Sequence, residues 1–185
     1  AVVVILVVFI TQWMSRKKAV TSMLVGMLLM PFSALAMSLG PVLQQLAGTE
    51  ISFGLMTLHP YTVMMVVGIA IQGCAECFIS PRFLEYFSLM APRGEEGVYL
   101  GFSHLHSFLS ALVGFIMSGF LLDAYCPDPK TLPAGLSAAE RAAYYADAHV
   151  IWYYFVAIGA TAAVALYVFR AVTNAIDRRA GEEPQ

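Results

Sequence analysis

The sequence predicts an all-α membrane protein, and three observations carry that expectation. Of its 185 residues, 59% are hydrophobic and 12% charged, whereas soluble domains average about 45–50% and about 25%; the mean hydropathy is +0.74. Apolar runs recur near the length of about 20 residues that carries a helix across a hydrocarbon core about 30 Å thick. Lysine and arginine gather at alternate ends of those runs, as in chains that cross a membrane repeatedly.

Five runs follow in order: Ala1–Thr11, Ala19–Leu39, Tyr61–Ser80, Val98–Tyr125 and Val150–Arg170. Lipid offers no partners to peptide groups, so each run must satisfy its own backbone as a helix, and no sheet is expected. The first run is short and has neither an initiator methionine nor a basic flank; it reads as the tail of a helix that begins upstream rather than as a signal peptide. Pro31 should bend the second helix by removing one backbone hydrogen bond. The third is expected to end where Pro81 follows Ser80. Between the fourth and fifth, Pro127, Pro129 and Pro133 precede Ser137-Ala-Ala-Glu140, a capping-box pattern in which Ser and Glu satisfy each other's exposed amides. A short amphipathic helix should therefore lead into the last crossing. Trp152, Tyr153 and Tyr154 should mark the headgroup level at its outer end. Residues 1–175 form the membrane unit and residues 176–185 a cytoplasmic tail.

Orientation follows from the basic residues. Arg16, Lys17 and Lys18, then Arg82 and Arg93, then Arg170, Arg178 and Arg179 lie at one set of ends, while the opposite connections hold only Lys130 and Arg141. The first set should be cytoplasmic, giving a multi-pass protein of the cell's inner (plasma) membrane with its C-terminus inside. A net charge of -2 offers no basic excess for a phosphate backbone, so no nucleic-acid partner is expected. Membrane lipid is.

The third run holds the informative chemistry. Gln72, Glu76 and Ser80 recur every four residues, which places them on one face of an otherwise apolar helix. A carboxylate at membrane depth costs about 2.5–3.5 kcal/mol on insertion scales, so it normally faces a bundle interior or an aqueous cavity and finds a partner or a proton. These three are the candidate substrate-binding residues, with Glu76 also a candidate proton carrier. Cys74 and Cys77 have the C-x-x-C spacing, but lie within a membrane helix without a strand before them or a basic neighbour to stabilise a thiolate; with Cys126, they read as small buried apolar groups. His104 and His106 point about 200° apart on one helix and cannot share a metal from it. His104 is the preferred candidate of the two for a proton relay. Ser103, Ser107, Ser110, Gly114 and Ser118 form a small-residue stripe on that helix, expected to pack closely against a neighbour. No H-E-x-x-H motif or nucleophile–base pair suggests an enzyme, and no metal or cofactor is expected.

The stretch Glu76-Cys-Phe-Ile-Ser80-Pro-Arg-Phe-Leu84-Glu85-Tyr-Phe-Ser-Leu-Met-Ala91-Pro92, followed by Gly101, resembles the tenth-helix region of the proton-dependent oligopeptide transporters of the major facilitator superfamily. The acid, the serine four residues on, the Leu-Glu-aromatic group and the Ala-Pro pair keep that family's order and spacing. The resemblance implies that the five runs are helices eight to twelve of a major-facilitator bundle. It implies that Glu76 faces the α-amino group of a bound peptide with Ser80 nearby, and that protons drive uptake. The N-terminal half of the transporter would then complete the site. Ala75 and Phe83 stand where the family usually has glycine, and Ser103 where a tryptophan is frequent. Those departures alter the pocket wall and leave two alternatives, a carrier of another small solute or a non-transporting membrane scaffold.

Overall fold

The structure, a computed structural model, describes residues 2–14, 16–54 and 56–182. It is 78% helical. In chain order, the elements are α1 (Val2–Met14), α2 (Ala19–Ser38), α3 (Gly40–Ala47), β1 (Ile51–Ser52), β2 (Thr57–Leu58), α4 (Pro60–Met90), α5 (Glu96–Ser103), α6 (Leu105–Tyr125), α7 (Ala138–Tyr144) and α8 (Val150–Glu182). Four helical segments are long and apolar enough to cross a membrane: α2, α4, α5 with α6, and α8 up to Arg179. They agree with the four full-length runs read from the sequence, and α1 is the short helix before them.

The core is the interface between α2 and α4, with α8 laid against the other side of α2. Small residues let the first two backbones approach. A Cβ added at Gly26 would lie 2.6 Å from Ile79 Cγ1 and 2.7 Å from the Ala75 carbonyl oxygen, and one at Gly68 would lie 2.9 Å from the Ser33 carbonyl oxygen. Two hydroxyls cross the seam: Ser22 donates to the Phe78 carbonyl at 3.1 Å, and Ser33 to the Gly68 carbonyl at 2.8 Å. Lipid tails are as apolar as leucine, so close van der Waals contact and such hydrogen bonds hold membrane helices together in place of the hydrophobic effect. Gly159 brings α8 against Pro31, whose ring atoms would lie 3.2 Å from an added Cβ.

The third run does not end at Ser80. It continues through Pro81 to Met90, 31 residues in all, about 46 Å at 1.5 Å per residue. Pro81 cannot donate a backbone hydrogen bond, a loss that membrane helices tolerate when neighbouring groups re-satisfy the freed carbonyl. Just beyond it, Arg82 donates to Glu85 at 2.5 Å across one turn. Arg82 therefore lies inside α4 rather than beyond the end of the run, and is only 6% exposed.

The fourth run is interrupted at His104, where α5 gives way to α6. There the Ser107 N–H donates to the His104 carbonyl three residues back, at 3.0 Å. The Ser103 hydroxyl donates to the Leu100 carbonyl at 2.7 Å, and the His106 ring Nδ1 contacts the Ser103 carbonyl. Side chains that occupy backbone carbonyls in this way tighten and bend helices.

A sheet is present after all, though minimal. β1 and β2 pair antiparallel with Ile51 opposite Leu58 and Ser52 opposite Thr57, in the connection that leads into α4. Its backbone needs internal partners where no long helix supplies them. Gly54, at φ +79°, sits in its turn in the left-handed region that favours glycine.

The last run also extends, to Glu182, across most of the expected tail. Lys18 at the start of α2 bonds Asn174 at 3.3 Å and Asp177 at 3.2 Å there. At the opposite end, the Ser137–Glu140 capping box is formed. Ser137 donates its hydroxyl at 2.7 Å and its N–H at 2.9 Å to the Glu140 carboxylate, and its oxygen accepts from the Glu140 N–H at 3.3 Å. The hydroxyl and then the backbone N–H hold the Glu140 carboxyl below the usual carboxylate range.

Candidate functional site

α4 carries the candidate site, and its first turn is anchored before the site begins. His59 caps the helix, its Nδ1 accepting from the Tyr61 N–H at 3.3 Å, and Pro60 occupies a first-turn position where no N–H is needed. The Tyr61 ring covers Gly40, where an added Cβ would lie 2.7 Å from Cδ1.

From there, the helix period separates two faces. Gly68, Ala75, Phe78 and Arg82 form one buried face, and Cys77 is buried apart from it. Gln72, Glu76 and Ser80 lie roughly a third of the way round, and all three are exposed. Ser80 and Glu76 are brought together: the Ser80 hydroxyl donates to Glu76 Oε2 at 2.6 Å. That bond orients the carboxylate along the helix and leaves its other oxygen available to accept from a ligand.

Gln72 lies one turn away at the rim of a cavity of about 330 Å³ between α2, α4 and α8, whose wall includes Met27, Met30, Met37, Trp152 and Phe155. Trp152 therefore lines a hollow as well as marking a helix end. Tyr153 and Tyr154 are exposed, and the Tyr154 hydroxyl meets that of Tyr125 on α6 at 3.1 Å.

The stripe continues into Phe83, which the sequence reading gave only as a change in the pocket wall, and Phe87, which it did not assign to the site. By helix period, Phe83 and Phe87 share the face of Glu76; their rings are 4.8 Å apart, and the His106 ring lies 4.8 Å from Phe83. His106 is thus the histidine that meets the α4 stripe. His104 sits exposed at the helix break. Both histidines lie beside the small-residue stripe in sequence, so nothing in its spacing separated them; the choice depends on the bend at His104. Ser103 is 2% exposed and turned back on its own helix.

The small-residue stripe of α6 does not pack as expected. Ser107 and Ser110 are exposed, and an added Cβ at Gly114 would meet nothing within 4 Å. The reason is placement. α6 meets the rest of the described chain mainly near its ends, through α5 and α8, while Ser118, Leu121 and Cys126 border a separate hollow of about 330 Å³ beside Ile151 and Trp152.

Compared with protein-family models, with curated proteins and with solved structures, the chain matches none. Its fold defines a class nonetheless: a predominantly helical protein whose four long apolar helices are compatible with integral membrane residence.

Proposed function

We propose that this chain is the C-terminal portion of a major-facilitator-type secondary transporter, similar to the proton-dependent oligopeptide transporters, that takes up small peptides with protons by alternating access. The observation that carries the reading is the Glu76 carboxylate, hydrogen-bonded by Ser80 at 2.6 Å, on the open face of an apolar membrane helix rather than in its packed seam. Carboxylates at that depth typically serve a solute or ion path. In transporters of this architecture the solute sits near the bilayer midplane between two halves that rock around it. A proton and the α-amino group of a peptide would compete for the one Glu76 carboxylate, which links protonation to substrate binding at a single residue.

The test is Glu76→Gln in the full-length protein, reconstituted and assayed for proton-driven dipeptide uptake. Folding and expression should persist while uptake falls more than tenfold, and blocking the peptide's amine should mimic the change. Wild-type rate and affinity in the variant would remove the substrate assignment.

A second reading, a carrier of another small solute, draws on Phe83 and Ser103. Phe83 fills the stripe face beside His106, and Ser103 is turned inward, so the pocket wall differs from a peptide carrier's at both positions. A solute screen in the same vesicles separates the two readings.

A further inference from the structure

We infer that the basic end of α2 and α8 is a binding site for the headgroup of an anionic phospholipid. The inference rests on these helices crossing a membrane and not on what the protein carries. Lys17 and Lys18 precede α2, and Arg170, Arg178 and Arg179 lie in the last four turns of α8, so all five cations meet at one end of two adjacent helices.

A crevice of about 470 Å³ opens between them, bordered by Lys17, Lys18, Arg170 and Asn174, with Glu85 and Asp177 also on its wall. The two acids are already engaged: Asp177 with Lys18 at 3.2 Å and Glu85 with Arg82 at 2.5 Å. Among the described residues, Lys17, Arg170, Arg178 and Arg179 make no ion pair. Arg170 and Asn174 also border a second hollow of about 510 Å³ that carries Tyr167, Arg178 and Arg179. The two hollows thus share a ridge, with uncompensated positive charge on both sides.

Depth selects the ligand. Arg170 follows directly on the apolar part of α8, where Val164, Val168 and Phe169 are 63%, 53% and 43% exposed. A phosphodiester held at Arg170 would place its acyl chains along that apolar surface. A free phosphate ion would gain nothing from it. Guanidinium groups donate to phosphate oxygens in bidentate geometry, the Tyr167 phenol and the Asn174 amide can donate to headgroup oxygens, and basic clusters beside membrane helices attract anionic lipid.

The full-length protein, purified in mild detergent and titrated with phosphatidylglycerol or phosphatidylcholine, would be examined by native mass spectrometry. Phosphatidylglycerol should bind at least tenfold more tightly, and Arg170→Gln combined with Arg178→Gln should abolish the preference. Arg93→Gln, which removes a cation outside both hollows, should leave it intact. Equal binding of the two lipids, an equal loss in Arg93→Gln, or displacement of phosphatidylglycerol by millimolar inorganic phosphate would each overturn the site.

Discussion

The Ser33 hydroxyl donates to the Gly68 carbonyl at 2.8 Å, and Met37, one turn along α2, lies where a Gly68 side chain would have to go. One glycine thus lets both a hydrogen bond and a methionine reach the α4 backbone. Ser33→Ala should therefore cost about 0.6–2 kcal/mol, the range for interhelical hydrogen bonds in bilayers, measured by denaturant titration in bicelles. An unchanged midpoint would mean the bond contributes nothing net.

Gly26→Leu should be the more damaging change, because its obstacle at 2.7 Å is the Ala75 carbonyl oxygen, a backbone atom that cannot swing aside. Overpacking typically costs about 1–3 kcal/mol, and separating two backbones also breaks the nearby Ser22 to Phe78 bond. Gly114→Leu on α6, where nothing lies within 4 Å, is the matched control and should be neutral. Similar losses in both variants would show that α6 packs as tightly as α2.

Ser80→Ala should weaken uptake by less than Glu76→Gln, on the order of several-fold, since it removes one hydrogen bond worth about 0.5–1.5 kcal/mol and keeps the carboxylate. Transport kinetics of the pair check this. A Ser80→Ala defect equal to that of Glu76→Gln would make the hydroxyl itself the substrate contact.

Acid should loosen α7. Its Glu140 carboxyl is lowered by the Ser137 hydroxyl and backbone N–H, so between the folded and unfolded values the unfolded chain binds more protons and stability rises with pH. The contribution is complete above the ordinary glutamate range, about pH 4.3, and is lost as pH falls through the folded value below it. Amide protection factors across Ala138–Tyr144 should fall in that window in the wild type, and Ser137→Ala should be weakly protected at both ends. PH-independent protection in the wild type would contradict the assignment.

Topology can be tested in cells expressing the full-length protein without its native cysteines. Single cysteines at Lys17 and Arg93 should be shielded from an impermeant reagent added outside, and one at Lys130 should react. The reverse pattern would invert the orientation and with it the assignment to helices eight to twelve.

The crossings were legible because length and apolarity are properties of each run alone. What escaped the sequence depended on partners. Pro81 signals a helix end by local rules, yet α4 carries on past it with Arg82 folded into the packed side and bonded to Glu85. Ser22, Gly26 and Ser33 on α2 and Ser110, Gly114 and Ser118 on α6 are similar patterns of small residues. Among the described residues, α4 lies along the first, whereas nothing lies within 4 Å of an added Cβ at Gly114 in the second, and periodicity carries no information about what lies opposite. Within the candidate site, Glu76 and Ser80 were readable from a four-residue spacing, whereas His106 reaches Phe83 only because α5 and α6 are offset at His104.

The tie between Lys18 and Asn174 spans 156 residues of chain. At a synthesis rate of about 5–20 residues per second, roughly 8–30 s separate the emergence of its two ends from the ribosome. Once Met90 has emerged α2 can pair with α4, while the side that will hold α8, including Pro31, waits in the bilayer. Insertion order and docking order therefore differ: α6 enters before α8 but is passed over by it. A ribosome stalled after Tyr125 should carry a nascent chain whose α2–α4 seam is already protected and whose Lys18 is still open to modification.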